Sequence, residues 1–137
     1  MAAFKDFEEI IAWQRGIDLS ASIYARFKDH RDFGFRDQIL RASVSVSNNI
    51  AEGFGRGSNT QFRYFLNVSR ASCNEVRSTI VLAERIGYLS KEDVDALRAE
   101  CIRLSATILG LIKTMRRDYL NSFAPWLIPL ASWAGWL

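Results

Sequence analysis

Apolar residues recur along this chain at intervals of three and four, the period of one helix face. Four segments carry it. The first spans about Phe7 to His30, with a stripe of Ile10, Trp13, Ile17, Ala21, Tyr24 and Phe27. Asp29 to Gly34 is polar, ends in glycine and reads as a turn. The second segment spans about Phe35 to Glu52, with Phe35, Ile39, Ala42, Val46 and Ile50 on one face. Ser43 to Ser47 alternates polar and apolar, which taken alone suggests a strand. The alternation is short, however, and the helical stripe continues on both sides. Serines here let a neighbouring helix approach closely.

Gly53, Gly55 and Gly57 then break the chain around Phe54 and Arg56, and Ser58, Asn59 or Thr60 caps a third helix. That helix runs to about Ile86 on Phe62, Phe65, Leu66, Ser69, Cys73, Val76, Ile80 and Ala83, with Gly87 placed to end it. Ser90 and Asp93 form a box-like start for the fourth. Its heptad is Val94, Leu97, Cys101, Leu104, Ile108, Leu111 and Met115, ending near Asp118. Long helices with short connections predict an all-α, up-down antiparallel four-helix bundle over residues 1–117. The tail, residues 118–137, carries Trp126, Trp133, Trp136, Pro125 and Pro129, and no charge after Asp118. It is expected to fold back over the bundle or into a subunit groove. A membrane-surface anchor is the less favoured reading, because the basic flank and amphipathic regularity of an interfacial helix are missing.

Composition changes this picture little. The 137 residues make one domain with enough core to need no metal or disulfide. The net charge of +3 permits nucleic-acid contact without requiring it. Cys73 and Cys101 fall on apolar helical positions and read as core residues in a reducing, cytoplasmic setting. No apolar run is long enough to require a membrane span.

Candidate chemistry is sparse, and the expectation is a protein that is not an enzyme and holds no cofactor or metal. The single histidine, His30, falls in a turn and reads as an ordinary exposed residue. One histidine cannot supply the paired ligands of a di-iron bundle. The glycine triplet lacks a following Gly-Lys-Ser/Thr and joins two helices, so it is no phosphate loop. One basic pattern stands out: Arg56, Arg63, Arg70 and Arg77 recur every seven residues, and Arg41 precedes the same loop. The last three would line one side of the third helix, an arrangement suited to phosphates. The competing reading is a solvated face paired with Glu52 and Glu75. Asn49, Glu52 and Gly53 close the second helix, where Glu52, four residues before Arg56, is placed to fix the loop by an ion pair.

Arg41-Ala42-Ser43-Val44-Ser45-Val46, then Asn49-Ile50-Ala51-Glu52-Gly53 and Arg56, resembles the signature of the 23S rRNA intervening-sequence protein family. Trp13-Gln14, Gln38, Phe62, Phe65, Leu66, Ser72, Glu75, Leu82-Ala83 and Gly87-Tyr88-Leu89 extend the likeness over roughly Phe4 to Arg117. The resemblance implies an up-down bundle similar to the accessory protein of diversity-generating retroelements. It also implies a homopentameric assembly and partners such as RNA, DNA or a reverse-transcriptase-like protein. Ser69 and Ala71 stand where Ala and Gly are more usual, and the tryptophan-rich tail lies outside the family pattern. Two functions follow as expectations. One is an oligomeric module touching nucleic acid through basic faces. The other is a protein-interaction scaffold that docks a partner through the tail.

Overall fold

The computed structural model describes the backbone of residues 4–134 and the side chains as far as Met115. A single 3-10 turn, Phe7–Glu9, precedes four helices: α1 (Ile11–Phe27), α2 (Phe33–Gly55), α3 (Asn59–Arg85) and α4 (Lys91–Ala134). Each helix packs on the next, and α1 closes the ring of contacts against α4. The result is the up-down bundle that the periodicity predicts. Ser43 to Ser47 is helical, so the strand alternative falls.

The helix boundaries follow local chemistry. Asp32 begins α2 by accepting the Phe35 N–H at 3.1 Å. The helix therefore starts before Gly34, and the predicted turn shrinks. Ser58 caps α3 through the Gln61 N–H at 3.2 Å, and Ser90 receives the Asp93 N–H at 3.2 Å at the start of α4. At the end of α3 the chain turns through Gly87 at φ +80, while the Tyr88 N–H reaches back to the Ala83 carbonyl at 2.7 Å. This is the paired C-terminal closure that a left-handed glycine permits.

Three expectations need correction. The first concerns α1. Ile17, Ala21 and Tyr24 face outward, and the buried face is Ala12, Gly16, Leu19, Ser20, Ile23 and Phe27. Small residues decide this: a Cβ on Gly16 would meet the Ser47 Cβ at 3.2 Å, and Ser20 Oγ donates to the Ser43 carbonyl at 2.8 Å. The α1–α2 contact is thus built on close backbone approach, not on the largest side chains. The second concerns the glycine triplet. Gly53 and Gly55 lie inside α2, and only Gly57, at φ +77, turns the chain. The third concerns α4, which continues past Asp118 as helix to Ala134. No glycine occurs between Gly110 and Gly135 to release it, and the helix passes through Pro125 and Pro129, each of which removes one backbone donor. What the tail side chains touch lies outside the described residues.

Phe65 and Leu111 are half-buried, and the core otherwise follows the predicted stripes of α2, α3 and α4. Phe35, Ile39, Ala42, Val46 and Ile50 of α2 are buried, and so are Phe62, Leu66, Cys73, Val76, Ile80 and Ala83 of α3. Val94, Leu97, Cys101, Leu104, Ile108 and Met115 complete it from α4. At the α2–α3 contact Ser69 Oγ donates to the Val46 carbonyl at 2.6 Å. His30 is half-buried, not an exposed turn residue. Its ring stacks against Tyr88 at 4.3 Å, and Phe27 and Phe35 flank it, so the α1–α2 turn is an aromatic plug at one end of the bundle.

Candidate nucleic-acid interface and the end of α2

The last turns of α2 are held by a chain of short polar contacts. Asn49 Nδ2 donates to the Ser45 carbonyl at 2.7 Å and to Ser45 Oγ at 2.8 Å. Ser45 Oγ in turn lies 2.8 Å from Ser72 Oγ on α3. An asparagine that disfavours a helix interior is thereby used to tie α2 to α3. One turn on, Arg56 donates to Glu52 Oε1 at 2.8 Å, and its guanidinium lies 5.1 Å from the centre of the Phe65 ring. Gly53 is buried because α3 crosses it here. A Cβ at Gly53 would fall 2.5 Å from the Phe65 Cβ, inside any allowed contact. Gly53, Glu52 and Arg56 therefore act together: the glycine admits Phe65, and the ion pair braces the turn above it.

The arginines do not form one continuous line. Arg56 is bound into the α2–α3 turn. Arg41 is exposed on α2, on an open surface with Asp37, Asn48, Asn49 and Glu52. Arg63, Arg70 and Arg77 are half-buried along α3, and their seven-residue spacing keeps them on one side of it. Arg77 borders a shallow groove between α3 and α4 with Asn74, Ser78, Val81 and Arg98. Sequence reasoning missed Arg98. It lies on a different helix, and only the antiparallel register of α3 and α4 brings it beside Arg77.

The ion pairs of this face are few. Among the described residues the ion pairs are Arg26–Asp93, Arg36–Asp37 and Glu52–Arg56. Glu52 is thus taken by Arg56. Glu75 lines a different surface, between α2 and α3, with Gln38, Arg41 and Ser45. Arg63, Arg70 and Arg77 have no carboxylate within ion-pair distance among the described residues, and the Nε atoms of Arg63 and Arg70 are buried without a hydrogen-bond acceptor. Among the described residues no cluster of three or more His, Cys, Asp or Glu side chains has metal-holding geometry. No described helix is long and apolar enough to cross a membrane.

The family model described as 23S rRNA-intervening sequence protein matches residues 8–110. The chain belongs to that family. The match takes in α2, α3 and the first half of α4, so the Asn49–Glu52–Gly53 brace and the α3 arginines all lie inside it. Among solved structures, the bundle is similar to a protein of unknown function from the S23 ribosomal protein family of Bacteroides thetaiotaomicron VPI-5482. The TM-score is 0.71 at 21% identity, covering 75% of this chain and 99% of that one. That likeness extends to the fold. A comparison with curated proteins finds no match.

Proposed function

We propose that this member of the intervening-sequence family is a non-enzymatic, homo-oligomeric bundle that contacts RNA or another nucleic acid through the α3 side bearing Arg63, Arg70 and Arg77. The observation that carries the reading is that none of these three guanidiniums has a carboxylate partner among the described residues, so the pairs with Glu52 and Glu75 that the competing reading calls for are not formed by them. Arg98 adds a fourth positive group across the groove from Arg77. Arginine offers a planar fork to phosphate oxygens, and half-burial of its stem holds that fork in place. Arg56 braces the turn and Arg41 is peripheral. Repetition of a weak patch around an oligomer raises avidity without new contacts.

Titration of a structured RNA at several salt concentrations tests this reading. Each phosphate neutralised on a duplex contributes about 0.9 to the slope of log affinity against log salt, and about 0.7 on a single strand. Replacing Arg63, Arg70 and Arg77 together by Gln, which keeps much of each stem, should lower that slope by about two to three on this scale. A salt-independent affinity, or a slope unchanged in the triple variant, refutes it. Binding of a protein partner with no response to RNA supports the scaffold function instead.

A further inference from the structure

Cys73 and Cys101 meet in the core between α3 and α4, separated by 28 positions in sequence. Cys73 Sγ donates to the Cys101 carbonyl at 3.3 Å, and each residue is 1% exposed. The neighbouring Cys73 thiol, together with burial, holds the Cys101 thiol far above the ordinary thiol range. Cys101, then the Ser105 backbone and Arg77, draw the Cys73 thiol down despite its burial. Two free, buried thiols of unequal acidity thus lie at one level of neighbouring helices, the Cys73 sulfur against the backbone of Cys101.

We infer that Cys73 and Cys101 form a redox-modifiable dithiol that closes to an intramolecular disulfide stapling α3 to α4. The oxidant is a small anionic disulfide of the glutathione class. Arg77 follows Cys73 by one helical turn, Arg98 precedes Cys101 by nearly one, and both border the shallow groove at this level. The groove therefore offers positive charge where such an oxidant must arrive. Local parting of α3 and α4 admits it, since core elements open transiently without global unfolding. The Cys73 thiolate attacks one sulfur of the oxidant, forming a mixed disulfide and releasing one small thiolate, which takes the proton of the Cys101 thiol. The Cys101 sulfur then attacks Cys73 Sγ, and the second small thiol leaves. In sum, two protein thiols and one small disulfide become one protein disulfide and two small thiols. The second step is intramolecular, and mildly alkaline pH favours it because exchange proceeds through the Cys101 thiolate. The inference is independent of the nucleic-acid reading.

The full chain should be incubated with glutathione disulfide at mildly alkaline pH, then quenched with acid and weighed intact. The expected product has lost two hydrogens, retains no glutathione, runs as a single chain on a non-reducing gel and yields a peptide joining Cys73 to Cys101. Dithiothreitol should reverse it. Cys101→Ala should stop at a stable glutathione adduct on Cys73, and circular dichroism checks that this variant keeps its helices. Should that variant not fold, the wild-type mass and cross-linked peptide decide the matter alone. The inference is overturned if the folded wild-type chain retains both thiols after exposure at which a small dithiol peptide is fully oxidised. Wild-type product that is a persistent adduct or a disulfide between chains overturns it equally.

Discussion

A single added carbon separates two glycines of this bundle. At Gly53 the new Cβ would meet the Phe65 Cβ at 2.5 Å, and Phe65 cannot swing away because that atom is fixed to the α3 backbone. At Gly110, in the interior of α4, nothing lies within 4 Å. Helix propensity favours alanine at both by up to about 1 kcal/mol. Overpacking at Gly53 outweighs this, since forcing apart a filled contact costs about 1–3 kcal/mol. Gly53→Ala should therefore lower the urea midpoint, and Gly110→Ala should raise it. Equal shifts of the same sign would show that α3 does not press on Gly53. Sequence alone reads Gly53 as part of a chain break and does not single out Gly110. It marks Gly53 as special only through its neighbours Asn49 and Glu52, and gives no hint that Phe65 is the cause.

Between elements, the α1–α2 turn and the end of α3 are joined by one strong contact: the Tyr88 hydroxyl donates to Asp32 Oδ2 at 2.7 Å. That bond, then the Phe35 N–H, holds the Asp32 carboxyl below its usual value of 3.8. The same bond raises the Tyr88 phenol above its usual 10.0. A depressed carboxyl contributes stability that is present above its unfolded pKa and lost as pH falls through the lower folded value. A raised phenol contributes stability present below its unfolded pKa and lost as pH rises through the higher folded one. Tyr88→Phe should therefore cost stability by a constant amount near neutrality. The difference from wild type should shrink below about pH 4 and above about pH 10. Urea midpoints across pH check this, and a difference independent of pH would sink it. The elements themselves were readable from period and caps: Ser58, Gly87 and Ser90 act where their types predict. The face of α1 was not, because periodicity weighs Trp13, Ile17 and Tyr24 above Gly16 and Ser20. The close approach of two backbones is decided by the small residues. The end of α4 was not readable either: the heptad ends at Met115, yet the helix continues through Pro125 and Pro129 to Ala134.

At the scale of the whole molecule, that misread face of α1 has its own consequence. Ile17 and Tyr24 are each 41% exposed on the outside of the bundle. Tyr24 adjoins the half-buried Leu40 and Val44 of α2 on a surface that also carries Asp37, Arg41, Asn48 and Glu52. The basic groove with Arg77 and Arg98 lies between the other two helices, α3 and α4. A protomer that exposes Ile17 and Tyr24 on one side, and on another guanidiniums with no carboxylate partner among the described residues, is suited to associate through the first and leave the second for a ligand. The proposed homo-oligomer accordingly predicts a solution mass several times the 15.6 kDa of one chain by light scattering. Changing Ile17 and Tyr24 together to Asp should reduce that mass while the helical signal survives, because neither side chain is in the core. Their exposed positions make large folding losses unexpected. Arginine-dependent RNA affinity should then fall with the mass, as avidity is lost while each patch stays intact. A wild-type chain at 15.6 kDa would refute the oligomer outright. A double variant of unchanged mass would place its contacts on some other face and leave the α1–α2 flank without a subunit to cover it.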